Sequence, residues 1–355
     1  LKKWISPALL IITFLLSALG HFLGWNFTLQ FILSAISVIF VAGFLGKATE
    51  SVAHYAGQRL GGFLNATFGN AAELIIAILL VQQGLFDMVK ASITGSIIGN
   101  LLLVLGLSLF AGGLKFKVQK YNVSLAGLNG SLMVLGIIAL FIPAVFLNTH
   151  SITESDTKFL SLVVAGILIF AYLAWLLFSM VTHKNYLADV SHKDEELPHE
   201  HGPQWSKGRS ILYLVIATVM VALVSEWLVG VLEPVSEEYG LSELFVGAFV
   251  VAIVGNAAEH SAAIMLAMKN KIGAAVEIAV GSSLQIALFV APVLVFVSYF
   301  SGNTMDIVFT TIELVAIGVA VFIAKSITQD GETNWYEGLM LLAVYVILGV
   351  SFYLV

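Results

Sequence analysis

Two glutamates stand in the same short setting: GNAAE occurs at 69–73 and again at 255–259, so that Glu73 and Glu259 are separated by an offset of 186. Each falls several residues inside a long apolar stretch, where an ionised carboxylate costs roughly 2.5–3.5 kcal/mol to insert. Asn70 and Glu73 are three apart and share one helical face, as do Asn256 and Glu259. Gly69 and Gly255 precede each Asn and permit local unwinding, which frees backbone carbonyls; such backbone is tolerated at membrane depth only where it lines a cavity. In the next apolar stretch of each region come Ser96 and Asn100, four apart, and Ser282 and Gln285, three apart. Together these residues offer two negative charges, neutral side-chain oxygens and no sulfur. Ca2+ takes about 6–8 oxygen ligands in flexible geometry, whereas Mg2+ resists dehydration. Soft metals want Cys or several His. The set fits Ca2+ first and Mn2+ after it.

The same carboxylates suit protons. Two like charges in a partly dry site oppose each other's ionisation, and either one divalent cation or two protons neutralise the pair. A protein that changes face readily only when neutralised would exchange one for the other. A lone membrane glutamate can serve only to bond a neighbouring helix; recurrence in the same five-residue context argues against that.

Composition says where these residues lie. Of 355 residues, 59% are hydrophobic and 11% charged, with a mean hydropathy of +0.99. A water-soluble domain carries about a quarter charged residues. There are no cysteines, which excludes disulfides, thiolate metal sites and cysteine nucleophiles. The basic residues are scattered along loops and not clustered on one face, so nucleic acid is not an expected partner. A span needs about 20 mostly apolar residues. Eleven are expected, near 4–24, 27–47, 63–83, 87–111, 121–147, 157–183, 209–233, 242–268, 271–300, 304–325 and 335–355. The stretch from Trp4 to Gly20 resembles a secretory signal, but no small-residue cleavage site follows, and it reads as the first membrane helix. With the N-terminus cytoplasmic, 14 of the 16 Lys and Arg fall inside and only Lys90 and Lys158 outside, as the positive-inside rule asks. The C-terminus then lies outside.

The repeat sets the architecture. Without gaps, 69–104 against 255–290 gives twelve identities in 36 positions, including Gly95-Ser96 against Gly281-Ser282. Five crossings separate the two copies, so they enter the membrane from opposite sides. The expected fold is an all-α polytopic membrane protein with eleven transmembrane helices, one N-terminal helix plus two inverted-topology five-helix repeats. Its parts are the helix at 1–26, a first repeat at 27–183, a cytoplasmic acidic and His-bearing linker at 184–208, and a second repeat at 209–355. The linker holds His192, Asp194, Glu195, Glu196, His199, Glu200 and His201. It lacks the spacing of a Ca2+-binding loop and reads as solvated.

GNAAELIIAI with GSIIGNLLLVLGLSL, and GNAAEHSAAIMLAMKNKIG with GSSLQIALFVAPVLV, resemble the two signature regions of the Ca2+/H+ exchanger (CAX) family, part of the wider cation/Ca2+ exchanger superfamily. The resemblance implies a secondary transporter in which Glu73 and Glu259 bind Ca2+ and protons alternately. It also implies a site lined by Gly69, Asn70, Ser96, Asn100, Gly255, Asn256, Ser282 and Gln285. Sodium-coupled relatives often carry an acidic residue where this chain has Gln285. By the same resemblance, Glu50 and Glu226 form cation pathways toward the two surfaces; the plainer reading is a helix-end residue at the interface. His260 matches the family's GNAAEH and would titrate near neutral pH, although its position next to Glu259 turns it about 100° away on a helix. It reads equally as a proton-coupling group or a packing histidine. Glu277 and Glu313 read as helix-end or packing residues. Among other classes, a cation channel also places acidic residues at depth but ordinarily repeats its pore by rotation between subunits. An intramembrane hydrolase would need a Ser/His pair, paired Asp or HExxH; no span contains HExxH or paired Asp. The implied partners are Ca2+, H+ and the lipid bilayer, with no cofactor. Short loops and the lack of a long N-terminal extension point to a bacterial cell membrane.

Overall fold

The computed structural model describes residues 2–149, 153–183, 205–302 and 304–355. The acidic and histidine residues of the expected linker, within 184–204, lie outside the described residues. The chain is helical almost throughout. Its helices are α1 (Lys2–Phe22), α2 (Phe27–Phe68), α3 (Ala71–Gln83), α4 (Phe86–Phe116), α5 (Val123–Asn148) and α6 (Glu154–Leu177). After the linker come α7 (Lys207–Tyr239), α8 (Glu243–Ala267), α9 (Ile272–Phe300), α10 (Thr311–Thr328) and α11 (Trp335–Tyr353). Among the described residues nine helices are long and apolar enough to cross a membrane, and two shorter apolar helices, Pro7–Phe22 and Ala71–Gln83, complete eleven. Five crossings separate α2 from α7 and α3 from α8, so corresponding helices of the two five-helix sets run in opposite directions.

The ends of the helices follow from local chemistry. Asn122 caps α5 by accepting from the N–H groups of Ser124 and Leu125. Reciprocal capping boxes open three others: Thr153 with Asp156 on α6, Thr310 with Glu313 on α10, and Asn334 with Glu337 on α11. Glu313, buried, therefore has the helix-end role expected of it. Gly84 and Gly240 close α3 and α7 in the left-handed conformation that favours glycine. Many large apolar side chains face outward, among them Phe159, Phe170 and Phe322. That is the arrangement lipid, not water, selects.

The structure departs from the expected spans in two places. The third, at 63–83, is split. Its first residues belong to α2, which continues to Phe68; the chain then turns at Gly69-Asn70, and α3 covers only 13 residues. Residues eight apart on a straight helix are about 12 Å apart along its axis. A Cβ at Gly61 would nevertheless collide with the Ala53 carbonyl, so α2 bends between them. The tenth span, expected at 304–325, begins at Thr311. Residues 304–310 are irregular and packed inward, with Met305, Ile307 and Phe309 buried. The N–H groups of Met305 and Ile307 donate to Ser298 and Ser161, which replaces the missing helical bonds. The all-α expectation also omits one small element. β1 (Val118–Lys120) and β2 (Glu332–Asn334) pair antiparallel, with Gln119 opposite Thr333, because the α4–α5 and α10–α11 connections meet at one end of the bundle.

The core lies where α4 and α9 pass through the bundle; these are the most buried of the long spans. Small residues let the helices approach. A Cβ on Gly95 of α4 would run into the backbone of Ala248 on α8, and one on Gly247 would lie 2.7 Å from both the Ala91 side chain and the Met88 carbonyl. Gly95→Val should therefore cost about 1–3 kcal/mol by overpacking, read as a lower melting temperature of the detergent-solubilised protein. Gly318→Ala, whose added Cβ meets nothing within 4 Å, should leave the melting temperature unchanged.

Candidate cation site

Glu73 sits in the first turn of α3 and is buried. Its Oε1 accepts a hydrogen bond from Ser96 on α4, while its Oε2 is buried with no partner among the described residues. Glu259, on α8, is half-buried; its Oε2 accepts from Ser282 of α9 at 2.6 Å. The spacing of serine after glutamate, 23 residues, is the same in each set. Each carboxylate is thus held by the serine of its own half.

Other bonds cross between the halves. Asn256 donates its amide to Ser96 Oγ at 3.1 Å and to the Ala252 carbonyl at 3.0 Å. Asn70 donates to Gln285 Oε1. His260 Nε2 and Asn100 Oδ1 are 3.2 Å apart, leaving Asn100 Nδ2 buried and unpartnered among the described residues. Gly255 lies against Glu73: a Cβ there would be 3.7 Å from the Glu73 Cβ. The two GNAAE segments therefore cross at the centre of the molecule. The structure brings together Asn70, Glu73, Ser96, Asn100, Asn256, Glu259, His260, Ser282 and Gln285 through this network. Gly69 is exposed at the turn between α2 and α3.

Local backbone supports the site in ways the glycine pattern only half anticipates. The first copy is broken at Gly69-Asn70, as expected. In the second copy Gly255 and Asn256 lie within a continuous helix, against the expectation of unwinding there. Asn256 is tied to Ala252 one turn earlier, and the tight contact of Gly247 and Ala248 with α4 fixes the approach. Irregularity enters the long helices as π turns instead, at Gly99–Val104 in α4, Val246–Val251 in α8 and Ile286–Val290 in α9. Such turns are frequent at functional sites because they displace backbone bonds and re-aim side chains. Asn100 lies in the first and Gln285 immediately precedes the last.

Glu50 and Glu226 stand on exposed faces of α2 and α7. Among the described residues, none of the hydrogen bonds of the network reaches them. Glu277 is exposed on α9. Among the described residues no three of His, Cys, Asp and Glu converge; the donor set here is two carboxylates with amide and hydroxyl groups. The sequence marks the candidate residues but not the pairs they make, and it gives little sign of Ala248, whose close backbone needs Gly95 opposite. Only the repeated Gly95-Ser96 hinted at it.

The sodium/calcium exchanger protein family matches residues 26–181 and 209–354. The chain is 47% identical over 341 residues to the Ca(2+)/H(+) antiporter ChaA of Bacillus subtilis (strain 168), covering 96% of each. It is 44% identical over 349 residues to a Ca(2+)/H(+) antiporter of Aphanothece halophytica, covering 95% of this chain and 93% of that one. The solved structure of native YfkE superposes with a TM-score of 0.85 at 43% identity, over 99% of this chain and 100% of that one.

The geometry offers a direct check on how α2 meets α8 beside Glu259. A Cβ on Gly43 would lie 3.9 Å from that of Ala258, within the ~3.5–4.5 Å that a disulfide spans. In this cysteine-free chain, Gly43→Cys with Ala258→Cys should close a disulfide on mild oxidation. Thiol titration and intact-peptide mass spectrometry should show both thiols lost in the monomer and recovered with reductant.

Proposed function

Because the chain belongs to the sodium/calcium exchanger protein family, we propose that it is a secondary antiporter exchanging Ca2+ for H+ across a membrane by alternating access. It is a multi-pass integral membrane protein and a transporter, not an enzyme. The observation that carries the reading is the crossing of the two motifs, each delivering one carboxylate held by a serine.

Glu73 and Glu259 bind Ca2+ and protons competitively. A divalent cation in the site neutralises both carboxylates, and its oxygen shell is completed from Asn70, Ser96, Asn100, Asn256 and Ser282 with backbone near Gly69 and Gly255, while Gln285 lines the site beside Asn70. With the cation gone, two buried like charges are unfavourable, and protons take its place. Movement between the faces is easy only for the neutralised site, which couples outward and inward fluxes without any cofactor. His260, bonded to Asn100, serves the proton step by changing how that amide is held. Glu50 and Glu226, exposed on the two neighbouring helices, lead cations to and from the centre.

In this reading residues 1–26 form an added helix, 27–183 and 209–355 the inverted repeats, and 184–208 a linker on the cytoplasmic side. The N-terminus is cytoplasmic, the C-terminus outside, and the membrane that of a bacterial cell, as the basic residues and the bacterial relatives support.

Sealed vesicles holding the purified protein test this. An imposed pH gradient should drive Ca2+ uptake and a Na+ gradient should not; Glu73→Gln and Glu259→Gln should each abolish it. Flux indifferent to an opposing proton gradient would indicate a channel, and uptake driven by Na+ alone would indicate sodium coupling. Because protons compete with the cation, acidifying the loading side should raise the apparent KM for Ca2+, by up to about tenfold per pH unit for each proton displaced. A KM that did not change with pH would contradict a shared site.

A further inference from the structure

Asn70 occupies the position before the first turn of α3, where an asparagine ordinarily turns its side-chain oxygen onto the N–H groups two and three residues on. Here it makes no such bond. Its amide nitrogen instead donates to Gln285 Oε1, across the boundary between the halves. An amide has one accepting and one donating end, so a partner that takes the nitrogen decides where the oxygen faces. Among the described residues Asn70 Oδ1 is left buried and without a partner, and so is Glu73 Oε2, three residues further on the same helical face. Two unpaired buried oxygens on one face are costly unless something positive meets them.

We propose that Gln285 is a positioning residue: by accepting from Asn70 Nδ2 it withholds Asn70 from capping α3 and turns Asn70 Oδ1 toward the cation that Glu73 binds. Its own oxygen is spent on that bond, so it acts through Asn70 and not as an independent ligand. The other half has no glutamine at the matching position. The residue 186 positions before Gln285 is Gly99, and Asn256 bonds Ser96 and its own helix. The orienting device therefore serves the first motif, the one whose backbone is broken and so least able to hold Asn70 by itself. This inference rests on the reading of the site as a cation site.

A double-mutant cycle tests it, with Ca2+ binding to the detergent-purified full chain measured by calorimetry and exchange in vesicles measured alongside. Gln285→Met keeps the length of the side chain but removes the strong acceptor. It should weaken Ca2+ binding about tenfold, the loss of one orienting hydrogen bond, while the maximal exchange rate at saturating Ca2+ stays within about threefold of the wild type. Asn70→Ala should weaken binding too, and adding Gln285→Met to it should change the dissociation constant by less than about twofold, since two residues acting as one unit are not additive. Gln285→Glu, whose carboxylate can still accept, should recover the binding that Gln285→Met loses. Losses that multiply in the double variant, a Gln285→Met protein that binds like the wild type, or a Gln285→Glu protein as weak as Gln285→Met would each overturn the proposal. A wild-type protein that binds Ca2+ but does not exchange it for protons would sink the antiporter reading while leaving the cycle to decide the role of Gln285. No Ca2+ binding by the wild type would overturn both.

Discussion

Two carboxylates at the centre of a membrane protein, paired with no basic side chain among the described residues, are the constraint around which the rest is arranged. The basic side chains that form ion pairs are committed elsewhere: Lys90 to Asp306 and Lys120 to Glu332, the two salt bridges among the described residues. Serine, asparagine and glutamine can orient Glu73 and Glu259 but cannot neutralise them. In the proposed reading the missing charge arrives from outside as a cation or as protons, and movement is tied to that cargo. The antiparallel arrangement of the two helix sets follows from the same need. It is what lets one motif come in from each face and the two acids meet.

The two motifs are alike in sequence and unlike in structure. The first is interrupted at Gly69-Asn70 and buries its acid; the second runs through Gly255-Asn256 as helix and leaves its acid half-exposed. Each contributes an asparagine to the other half, but the partners differ, Gln285 for one and Ser96 for the other. The repeat in the sequence is therefore not matched by a symmetric centre: one acid is buried and the other half-buried.

Much of this was legible in the residues alone, for identifiable reasons. Long apolar runs report a membrane helix whatever its neighbours, and a five-residue motif repeated across an odd number of crossings fixes relative orientation by counting. The equal spacing of Ser96 after Glu73 and of Ser282 after Glu259 is visible in the sequence, while the bonds they make are not. What failed to show was whatever depends on packing between distant segments. Nothing local in the stretch before Gly69 says that α2 continues and bends where Gly61 meets Ala53. Residues 304–310 are apolar enough for a span, yet their backbone is satisfied by Ser298 and Ser161 and not by a helix. The continuity of α8 through Gly255 is likewise decided by α4 and not by the glycine. Pairings such as Asn100 with His260 require the crossing itself.

The short ribbon of β1 and β2 has a mechanical meaning. One strand belongs to the connection after α4 and the other to the connection before α11, so a single backbone ladder stitches the two helix sets together at one end. Gln119 extends the stitch by donating to the Ala267 carbonyl and to Asn270, and Lys115 by donating to the Met268 carbonyl, which fastens the turn between α8 and α9 to the same seam. Helices joined in this way form a chassis: at that end the halves cannot glide past each other as separate slabs, and any large displacement has to be taken up by elements the seam leaves unsewn.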